Sequence, residues 1–388
     1  MVKPDYNGGG TLNLISSISE AAGNKTGYPI LNALHPEKLK DVKNIVFLLI
    51  DGLGYEFIKE YGKNTIFNEN MIGKMTTTFP SSTSAATTSL MTGQEPREHG
   101  MTAWHMFMKE IGTTIIPLPF VERMGRKGIQ DKIEIKGLFN LNPFTSRIKY
   151  NSYLVQHKEI LDSDFTKAAV GKKTKRIGYN DMTDGLKKVR KIIKSNNKNK
   201  FIFMYYNKHD SLCHDYGTTH KKVQKHFKQM PGIIENFFKS IEGTGTIVVI
   251  TSDHGHMDIH KDKRIHVEDH PEMKECLTMP LCGEARFAYC YVKPSKEKQF
   301  VQYIKNNLKY CCNLYKSESL LNKGYFGIRK EKEHPNIAHR IGDYIILMKD
   351  NYGIYDRPAY NKREHYNIGD HGGLSRKEMI VPLIIVKK

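Results

Sequence analysis

The chain has 388 residues, of which 39% are hydrophobic and 10% aromatic, and this composition excludes a disordered or fibrous protein. Its formal net charge is +19, which suits an anionic ligand such as a phosphate ester or a nucleic acid. The lysines are spread along the chain, so we expect most of them on solvated surfaces. A nucleic-acid partner is therefore an alternative that we do not favour.

The sequence also carries signals about location. No apolar run approaches the roughly 20 residues that a membrane helix needs. The N-terminal segment lacks the basic and then apolar pattern of a secretory signal. The six cysteines show no CxxC pair and no spacing typical of a disulfide framework. We therefore expect a cytoplasmic protein without a membrane segment.

Apolar runs alternate with helical patterns through most of the chain. Continuous apolar runs at 44–51, 201–207 and 245–251, and a last one before the C-terminus, predict buried strands. Amphipathic segments at 185–196 and 220–243 predict helices, the second broken at Pro231. The alternation predicts an α/β fold with a largely parallel central sheet and helices on both faces.

The pattern becomes irregular from about residue 261 to 364. Short strand and helix signals there predict a small α+β insertion, a cap-like subdomain over one edge of the sheet. We therefore predict a core formed by residues 1–260 and 365–388, interrupted by the insertion at 261–364.

The segment "TTTFPSSTSAATTSLMTG", residues 76–93, is rich in hydroxyl groups and has no charge. A low-complexity linker has this composition, and so has the start of a helix that carries a nucleophile. The small residues of "SAATTSLMTG" favour a helix packed closely on its neighbours.

Acidic and histidine residues follow several predicted strands. In open α/β sheets, ligands bind beyond the carboxyl ends of strands. Taken singly, each residue could belong to a turn, a cap or a surface ion pair. Taken together, they form a ligand inventory for two divalent metal ions, with Zn²⁺ favoured and Mn²⁺ or iron as alternatives. The residues are Asp51, Asp210, His214, Asp253, His254 and His371.

The motifs "LLIDGLG", "FPSSTSAATTSLMTG", "DSLCHDYG", "TSDHG" and "GDHGGLS" resemble the alkaline phosphatase superfamily. Within it, the chain is most similar to the type I phosphodiesterase/nucleotide pyrophosphatase branch, in its cytoplasmic bacterial and archaeal form. The resemblance implies a three-layer α/β sandwich. It also implies hydrolysis of phosphodiester or nucleotide pyrophosphate bonds in small-molecule substrates, through a phospho-threonine intermediate.

Two alternatives to this function stay open. One is a phosphomonoesterase or phosphotransferase of the same superfamily. The other is a non-catalytic, basic nucleic-acid-binding protein with decayed metal sites. The oligomeric state cannot be inferred from the sequence.

The resemblance also assigns the metal ligands. It implies that Asp210, His214 and His371 hold one zinc ion. It implies that Asp51, Asp253 and His254 hold the second, with the oxygen of the nucleophile completing the ligand set.

Two counting rules for the nucleophile disagree. Counting back ten positions from Gly93, as in the superfamily, gives Thr83, whereas the "TFPN" pattern of better-known phosphodiesterases gives Thr78. We predict Thr83, because the helix then keeps its length and the hydroxyl lies at its N-terminus. Unpaired N–H groups at that end bind phosphate oxygens. The non-catalytic interpretation is that Thr83 is only an N-cap.

The Asn of "TFPN", which helps to hold a phosphate oxygen in those enzymes, has no clear counterpart. Arg97 is the nearest candidate for the arginine clamp of monoester specialists, and His256 is a further candidate for the wall of the site. The predicted substrate-binding residues are Ser82, Trp104, His105 and Asn207.

Overall fold

A seven-stranded sheet forms the centre of the computed structural model, which describes residues 1–356 and 366–388. In chain order, the strands of these ranges are β1 (Asn44–Ile50), β2 (Met71–Thr76), β3 (Met106–Met108), β4 (Thr113–Ile116), β5 (Val121–Glu122), β6 (Asn151–His157), β7 (Lys175–Tyr179), β8 (Lys200–Tyr206), β9 (Thr246–Thr251), β10 (Met257–Asp258), β11 (Arg264–His266), β12 (Cys282–Glu284), β13 (Phe287–Cys290), β14 (Cys312–Lys316), β15 (Tyr344–Met348), β16 (Gly353–Tyr355), β17 (Gly369–Asp370) and β18 (Ile380–Lys387).

The α-helices of the same ranges are α1 (Thr11–Ala21), α2 (Tyr55–Tyr61), α3 (Ile66–Glu69), α4 (Thr83–Thr92), α5 (Pro96–His99), α6 (Ile135–Leu138), α7 (Asp164–Val170), α8 (Met182–Ile193), α9 (Lys208–Tyr216), α10 (Lys221–Ser240), α11 (Pro271–Cys276), α12 (Glu297–Tyr303), α13 (Ser317–Asn322), α14 (Ile337–Arg340) and α15 (Arg376–Met379).

The strand order of the large sheet is β2-β18-β9-β1-β8-β6-β7. β1 pairs in parallel with β8 and β9, and β6 pairs in parallel with β8 and β7. Only β18 runs against its neighbours within this sheet, antiparallel to β9 and β2. The prediction of a largely parallel sheet is confirmed.

Both faces of the sheet are covered, as the continuous apolar run in β1 predicts. Successive side chains of a strand point to opposite faces, so a strand buried on both sides reads as uninterrupted apolar residues. One face packs against α1, α4 and α7, and the other against α2, α8 and α10. The three-layer sandwich is therefore confirmed. In β1, Ile45, Phe47 and Leu49 lie on the face covered by α1, α4 and α7. Val46, Leu48 and Ile50 lie on the opposite face.

The prediction of a helix break at Pro231 is wrong, because α10 continues through the proline. A proline in a helix interior costs about 3 kcal/mol or more. Phe227, Met230 and Ile234 are buried on the same face of α10 and pack into the hydrophobic cluster beneath it. Burial of a large apolar side chain stabilises by about 1.5–3 kcal/mol, so this face offsets the cost of the proline.

A second sheet lies within the predicted insertion. It is antiparallel, with strand order β12-β13-β15-β14. Phe287 and Tyr289 of β13 join the main core, whereas Ala288 and Cys290 face a separate hydrophobic cluster. The domain limits stay a prediction, and the boundary between 364 and 365 lies outside the described residues. Across the described ranges, none of the helices combines the length and apolar character needed to cross a membrane.

Candidate active site

The carboxyl ends of three adjacent parallel strands carry the predicted aspartates. Asp51 follows β1 directly, Asp253 comes two residues after β9, and Asp210 lies in the first turn of α9, which follows β8. Asp51 and Asp253 are buried, with 1% and 0% exposure. Because parallel strands end at the same edge of a sheet, the fold brings the three carboxylates to one place.

One half of the cluster consists of Asp51, Asp253 and His254. Nε2 of His254 lies 3.4 Å from Oδ1 of Asp51 and 3.6 Å from Oδ2 of Asp253. The other oxygen of Asp51 accepts a hydrogen bond from the Tyr205 hydroxyl. Oδ1 of Asp253 accepts the backbone N–H of Gly52 at 3.2 Å. One oxygen of each carboxylate is thus held by the protein, and the other faces the imidazole.

The other half consists of Asp210, His214 and His371. Asp210 and His214 are four residues apart on α9, and Nε2 of His214 lies 3.2 Å from Oδ1 of Asp210. Nε2 of His371 lies 3.9 Å from the same oxygen. His371 follows β17, which pairs with β10 a few residues after His254. The structure therefore brings all six predicted ligands into one cluster.

Backbone carbonyls fix the orientation of the three imidazoles. In each ring, Nδ1–H donates to a carbonyl oxygen, so that Nε2 is directed at the carboxylates. An imidazole Nε2 that faces a carboxylate oxygen requires a proton or a metal cation between the two. The carbonyls belong to Gly369 for His214 (2.7 Å), Gly255 for His254 (3.2 Å) and Ser81 for His371 (3.0 Å).

The crowding of the cluster shifts the pKa values of its members. Burial, and then the charges of Asp253 and Asp210, hold the pKa of Asp51 well above its ordinary value. Burial and the charge of Asp210 raise the pKa of Asp253 to about 6. Burial, reinforced by His371, holds the pKa of His254 well below its ordinary value, so that imidazole is neutral. Neutral imidazole is the form that binds metal ions.

The residues present fit a divalent metal. Oδ1 of Asp51 and Oδ2 of Asp253 are buried and have no hydrogen-bond partner among the described residues. A buried carboxylate oxygen without a partner is costly unless a cation meets it. Asp51, Asp253 and His254 also place one ligand atom each within 4.8 Å of one another. Carboxylate oxygen and imidazole nitrogen are ligands typical of zinc and of manganese or iron.

Two further residues enter the other half of the cluster. These residues are His256 and Asp370. His256 belongs to a first set of residues whose ligand atoms lie within 4.8 Å of one another, which also contains Asp210, His254 and His371. Asp370 belongs to a second such set, together with His214 and His371. Nε2 of His256 lies 3.0 Å from Oδ1 of Asp210. The sequence signal for His256 is its position two residues after His254 in "DHGH". Asp370 precedes His371, and its Oδ1 accepts the backbone N–H of that residue at 2.9 Å.

Thr83 is the first residue of α4, and Ser82 occupies the N-cap position. The interpretation of Thr83 as an N-cap is therefore wrong. Oγ1 of Thr83 lies 3.0 Å from Nε2 of His254, within hydrogen-bond distance of the cluster. Oγ1 of Thr78 is buried and lies 3.4 Å from the carbonyl of Pro80 in its own turn. The helix geometry thus places Thr83, and not Thr78, beside the predicted metal ligands.

A cavity of about 1030 Å³ opens over the cluster. Asp51, Thr83, Asp210, His214 and His371 line it at the sheet end. Three of the four predicted substrate-binding residues also line it, namely Trp104, His105 and Asn207.

Three candidate residues, Ser82, Arg97 and His256, do not line the cavity. The Ser82 side chain is fully buried beside the helix start and donates its hydroxyl to Glu284. Arg97 is buried as well, and its Nε donates to Glu333 at 2.6 Å and its Nη1 to the carbonyl of Gly327 at 3.2 Å. Arg97 therefore forms a local ion pair with Glu333 and does not act as an arginine clamp at the cavity. Arg123 and Arg126 are the arginines that line the cavity.

Glu284 is a cavity-lining residue that the sequence reasoning missed. Its Oε1 accepts hydrogen bonds from the Ser82 hydroxyl and from the backbone N–H of Trp104, the latter at 3.0 Å. Its Oε2 lies 3.3 Å from Nδ1 of His371. Burial lowers the pKa of His371, but Glu284 and then Asp210 outweigh burial and raise that pKa to about 10. Glu284 comes from the irregular insertion, where no motif distinguishes it.

Residues 45–374 match the type I phosphodiesterase/nucleotide pyrophosphatase family, and the chain belongs to that family. The match covers every predicted metal ligand and Thr83. No curated protein sequence matches the chain.

Solved structures share the fold over most of its length. The murine ectonucleotide pyrophosphatase/phosphodiesterase 5 aligns with a TM-score of 0.67 at 16% identity, over 87% of each chain. The human protein of the same name gives 0.65 at 16% identity, again over 87% of each chain. Phosphonoacetate hydrolase from Sinorhizobium meliloti, solved with phosphonoformate, gives 0.62 at 14% identity over 89% of this chain and 90% of its own. These likenesses show that the chain shares the fold of these structures.

Proposed function

We propose that the protein is a two-metal hydrolase of phosphodiester or nucleotide pyrophosphate bonds and that Thr83 is its nucleophile. The observation that carries this proposal is the position of the Thr83 hydroxyl. It lies at the first residue of α4, 3.0 Å from Nε2 of His254, within a cluster of three aspartates and three histidines.

The start of α4 suits a phosphoryl group. The first helical hydrogen bond runs from the N–H of Ala86 to the carbonyl of Ser82, so the amides of the first turn precede it. The N-terminus of a helix carries a partial positive charge and binds phosphate oxygens. Among the described residues, no side chain caps this helix start. These amides therefore support binding of the equatorial oxygens in the transition state.

The cluster divides into two ligand groups. Asp51, Asp253 and His254, with Thr83, would hold one divalent ion. Asp210, His214 and His371 would hold the other, and His256 lies close enough to join or orient them. Bound Zn²⁺ would lower the pKa of the Thr83 hydroxyl and neutralise phosphate oxygens.

The reaction then proceeds in two displacements. Oγ1 of Thr83 loses its proton and attacks phosphorus, the bond to the alcohol or nucleoside phosphate breaks, and the leaving oxygen takes up a proton. The rest of the substrate stays bound to Oγ1 as an ester of phosphothreonine. Water then attacks phosphorus, the Oγ1–phosphorus bond breaks, Oγ1 regains a proton, and the phosphate monoester is released. An inactive threonine-to-alanine variant of the murine neighbour was solved with AMP, which supports a threonine nucleophile and a nucleotide ligand. A cavity of about 1030 Å³ has room for a ligand of that size.

A pair of assays tests the proposal. Purified protein is loaded with zinc, manganese or iron, and its metal content is measured. The p-nitrophenyl ester of thymidine 5′-monophosphate is then compared with p-nitrophenyl phosphate. About two metal ions per chain and a preference for the diester support the proposal. A preference for the monoester would favour the phosphomonoesterase alternative, and fewer than one ion per chain would favour a non-catalytic protein.

We also propose a cytoplasmic location. All six cysteines are buried free thiols, which suits a reducing compartment.

A further inference from the structure

A short hairpin, residues 121–128, brings positive charge to the cavity wall. The N–H of Glu122 donates to the carbonyl of Lys127 at 2.8 Å, and Val121 pairs with Gly128, which closes the hairpin. Arg123 and Arg126 belong to this hairpin and line the cavity. Within the described part of the chain, they are the only lysine or arginine side chains in the cavity wall.

The two arginines differ in how far their guanidiniums are already engaged. Nη1 of Arg123 donates to the carbonyl of Leu281, and its Nη2 donates to the carbonyl of Asp356 at 3.2 Å. Arg123 therefore anchors the hairpin to the insertion. Arg126 is exposed, and its guanidinium has no hydrogen bond or ion pair with any of the described residues. Its charge and its donors are thus open to a ligand in the cavity.

The backbone of the hairpin gives no reason for an arginine at position 126. Gly125 and Arg126 both have positive φ angles, of 77° and 53°. The left-handed region favours glycine or asparagine, and a side chain such as that of arginine is strained there. Strained residues of this kind cluster at functional sites, so the side chain of Arg126 and not its turn geometry accounts best for its presence.

Two acidic side chains of the cavity wall outside the metal-ligand cluster have other partners. Oδ2 of Asp356 accepts the backbone N–H of Leu281 at 2.6 Å. Oε2 of Glu159 lies 3.6 Å from Nδ1 of His157. Neither carboxylate forms an ion pair with Arg126 in the ranges that the structure describes.

The hairpin lies at a distance from the metal-ligand cluster that can be read along β12. Arg123 contacts the carbonyl of Leu281, and Glu284, three residues further on, reaches to 3.3 Å from His371. Three residues of extended chain span about 10 Å. A group bound at Thr83 must therefore continue through several bonds to meet the hairpin, as a chain of phosphates does.

We propose that Arg126, with Arg123 beside it, forms a subsite for a distal phosphate group of the substrate. The preferred substrates are then nucleoside polyphosphates, in which a phosphate chain continues beyond the scissile phosphorus. This inference rests on the proposed function and names the substrate class of the same site. A guanidinium is permanently charged and can donate two parallel hydrogen bonds to phosphate oxygens. The p-nitrophenyl ester of thymidine 5′-monophosphate has no second phosphate to meet the subsite.

Arg126→Met tests the subsite, since it removes the charge and keeps an unbranched side chain. Lys127→Met is the matched control, because Lys127 is an exposed cation of the same hairpin that does not line the cavity. In zinc-loaded wild type and both variants, kcat/KM is measured for ATP and for the thymidine ester. Binding of AMP and of the α,β-methylene analogue of ATP, which resists cleavage next to the α-phosphorus, is measured by calorimetry.

We expect wild type to bind the analogue more tightly than AMP. We expect Arg126→Met to lower the ratio of ATP to thymidine ester kcat/KM by about tenfold, the effect of losing one charge-assisted pair at an exposed position. The affinity for the analogue relative to AMP should fall by a similar factor. Lys127→Met should leave both ratios as in wild type.

Three results would overturn the proposal. The first is a wild type that binds the analogue no more tightly than AMP, and the second is unchanged ratios in Arg126→Met. The third is an equal fall in both variants, which would show a general effect of surface charge. A wild type that hydrolyses neither ATP nor the thymidine ester contradicts the proposed function, whereas the binding comparison still decides whether the subsite exists.

Discussion

The substitution Asp253→Asn tests whether the buried carboxylates are arranged for a cation. Oδ1 of Asp253 accepts the N–H groups of Gly52 and His254, at 3.2 and 3.1 Å, and the amide oxygen of Asn can keep both bonds. Oδ2 is the buried oxygen without a hydrogen bond among the described residues. The substitution thus removes a charge while the structural contacts stay.

The size of the effect follows from the raised pKa of Asp253. That pKa is about 6 in the folded chain, above the roughly 3.9 of an unfolded aspartate. In metal-free protein, the folded state therefore binds more protons than the unfolded state between these two pH values. Stability is greatest below the unfolded pKa and is lost as pH rises through about 6. The difference of about two pKa units corresponds to roughly 3 kcal/mol.

The assay is urea unfolding of metal-free protein at pH 4 and pH 7.5. We expect Asp253→Asn to gain stability relative to wild type as pH rises, by about 2.4 kcal/mol between pH 4 and pH 7.5. In zinc-saturated protein we expect the variant to be less stable than wild type, because it has lost a metal ligand. Asp184→Asn is the control, since Lys188 lowers the pKa of that partly exposed carboxyl, and its small difference runs the opposite way. A variant that is less stable than wild type at pH 7.5 without metal would refute this reasoning.

Two further substitutions have defined outcomes. His256→Gln removes an imidazole whose Nε2 is 3.0 Å from Asp210 and whose Nδ1 donates to the Gly52 carbonyl at 3.1 Å. Zinc affinity, measured by competition with a chromogenic chelator, should fall about 10- to 100-fold, and an unchanged affinity would exclude His256 from the centre. Arg286→Met leaves the fully buried carboxylate of Glu378 without its partner. The free energy of unfolding should fall by about 3–5 kcal/mol in urea titrations, and the loss should shrink when Glu378→Gln is added; a loss below 1 kcal/mol would contradict the buried ion pair.

The central sheet could be predicted because its signal is local. In β1, every residue between Asn44 and Ile50 is buried, and a strand covered on both faces reads as one apolar run. The prediction of a helix break at Pro231 failed because the interactions that decide it are not local. Helix propensity is local, but the packing that keeps α10 continuous comes from residues far away in the chain.

The candidate ligands could be predicted because the topology of the sheet brings them together. Residues that follow the carboxyl ends of adjacent parallel strands lie at the same edge of the sheet, so the proximity of Asp51 and Asp253 follows from the strand pattern alone. Glu284 could not be found in this way. It reaches the site through the pairing of Gly283 with His105, a contact between segments about 180 residues apart whose sequences carry no motif. The same contact explains why the prediction of Ser82 as a substrate-binding residue failed. Its hydroxyl donates to Glu284 and does not reach the cavity.

The most direct test of the account is the turnover of the p-nitrophenyl ester of thymidine 5′-monophosphate by zinc-loaded Thr83→Ala. The account predicts that wild type hydrolyses the diester. It predicts that Thr83→Ala loses about 10³-fold or more of kcat while its zinc content stays near that of wild type, because the nucleophile is removed. Thr78→Ala should keep most of its activity. Near-wild-type turnover by Thr83→Ala, or loss of activity in Thr78→Ala alone, would contradict the assignment of the nucleophile.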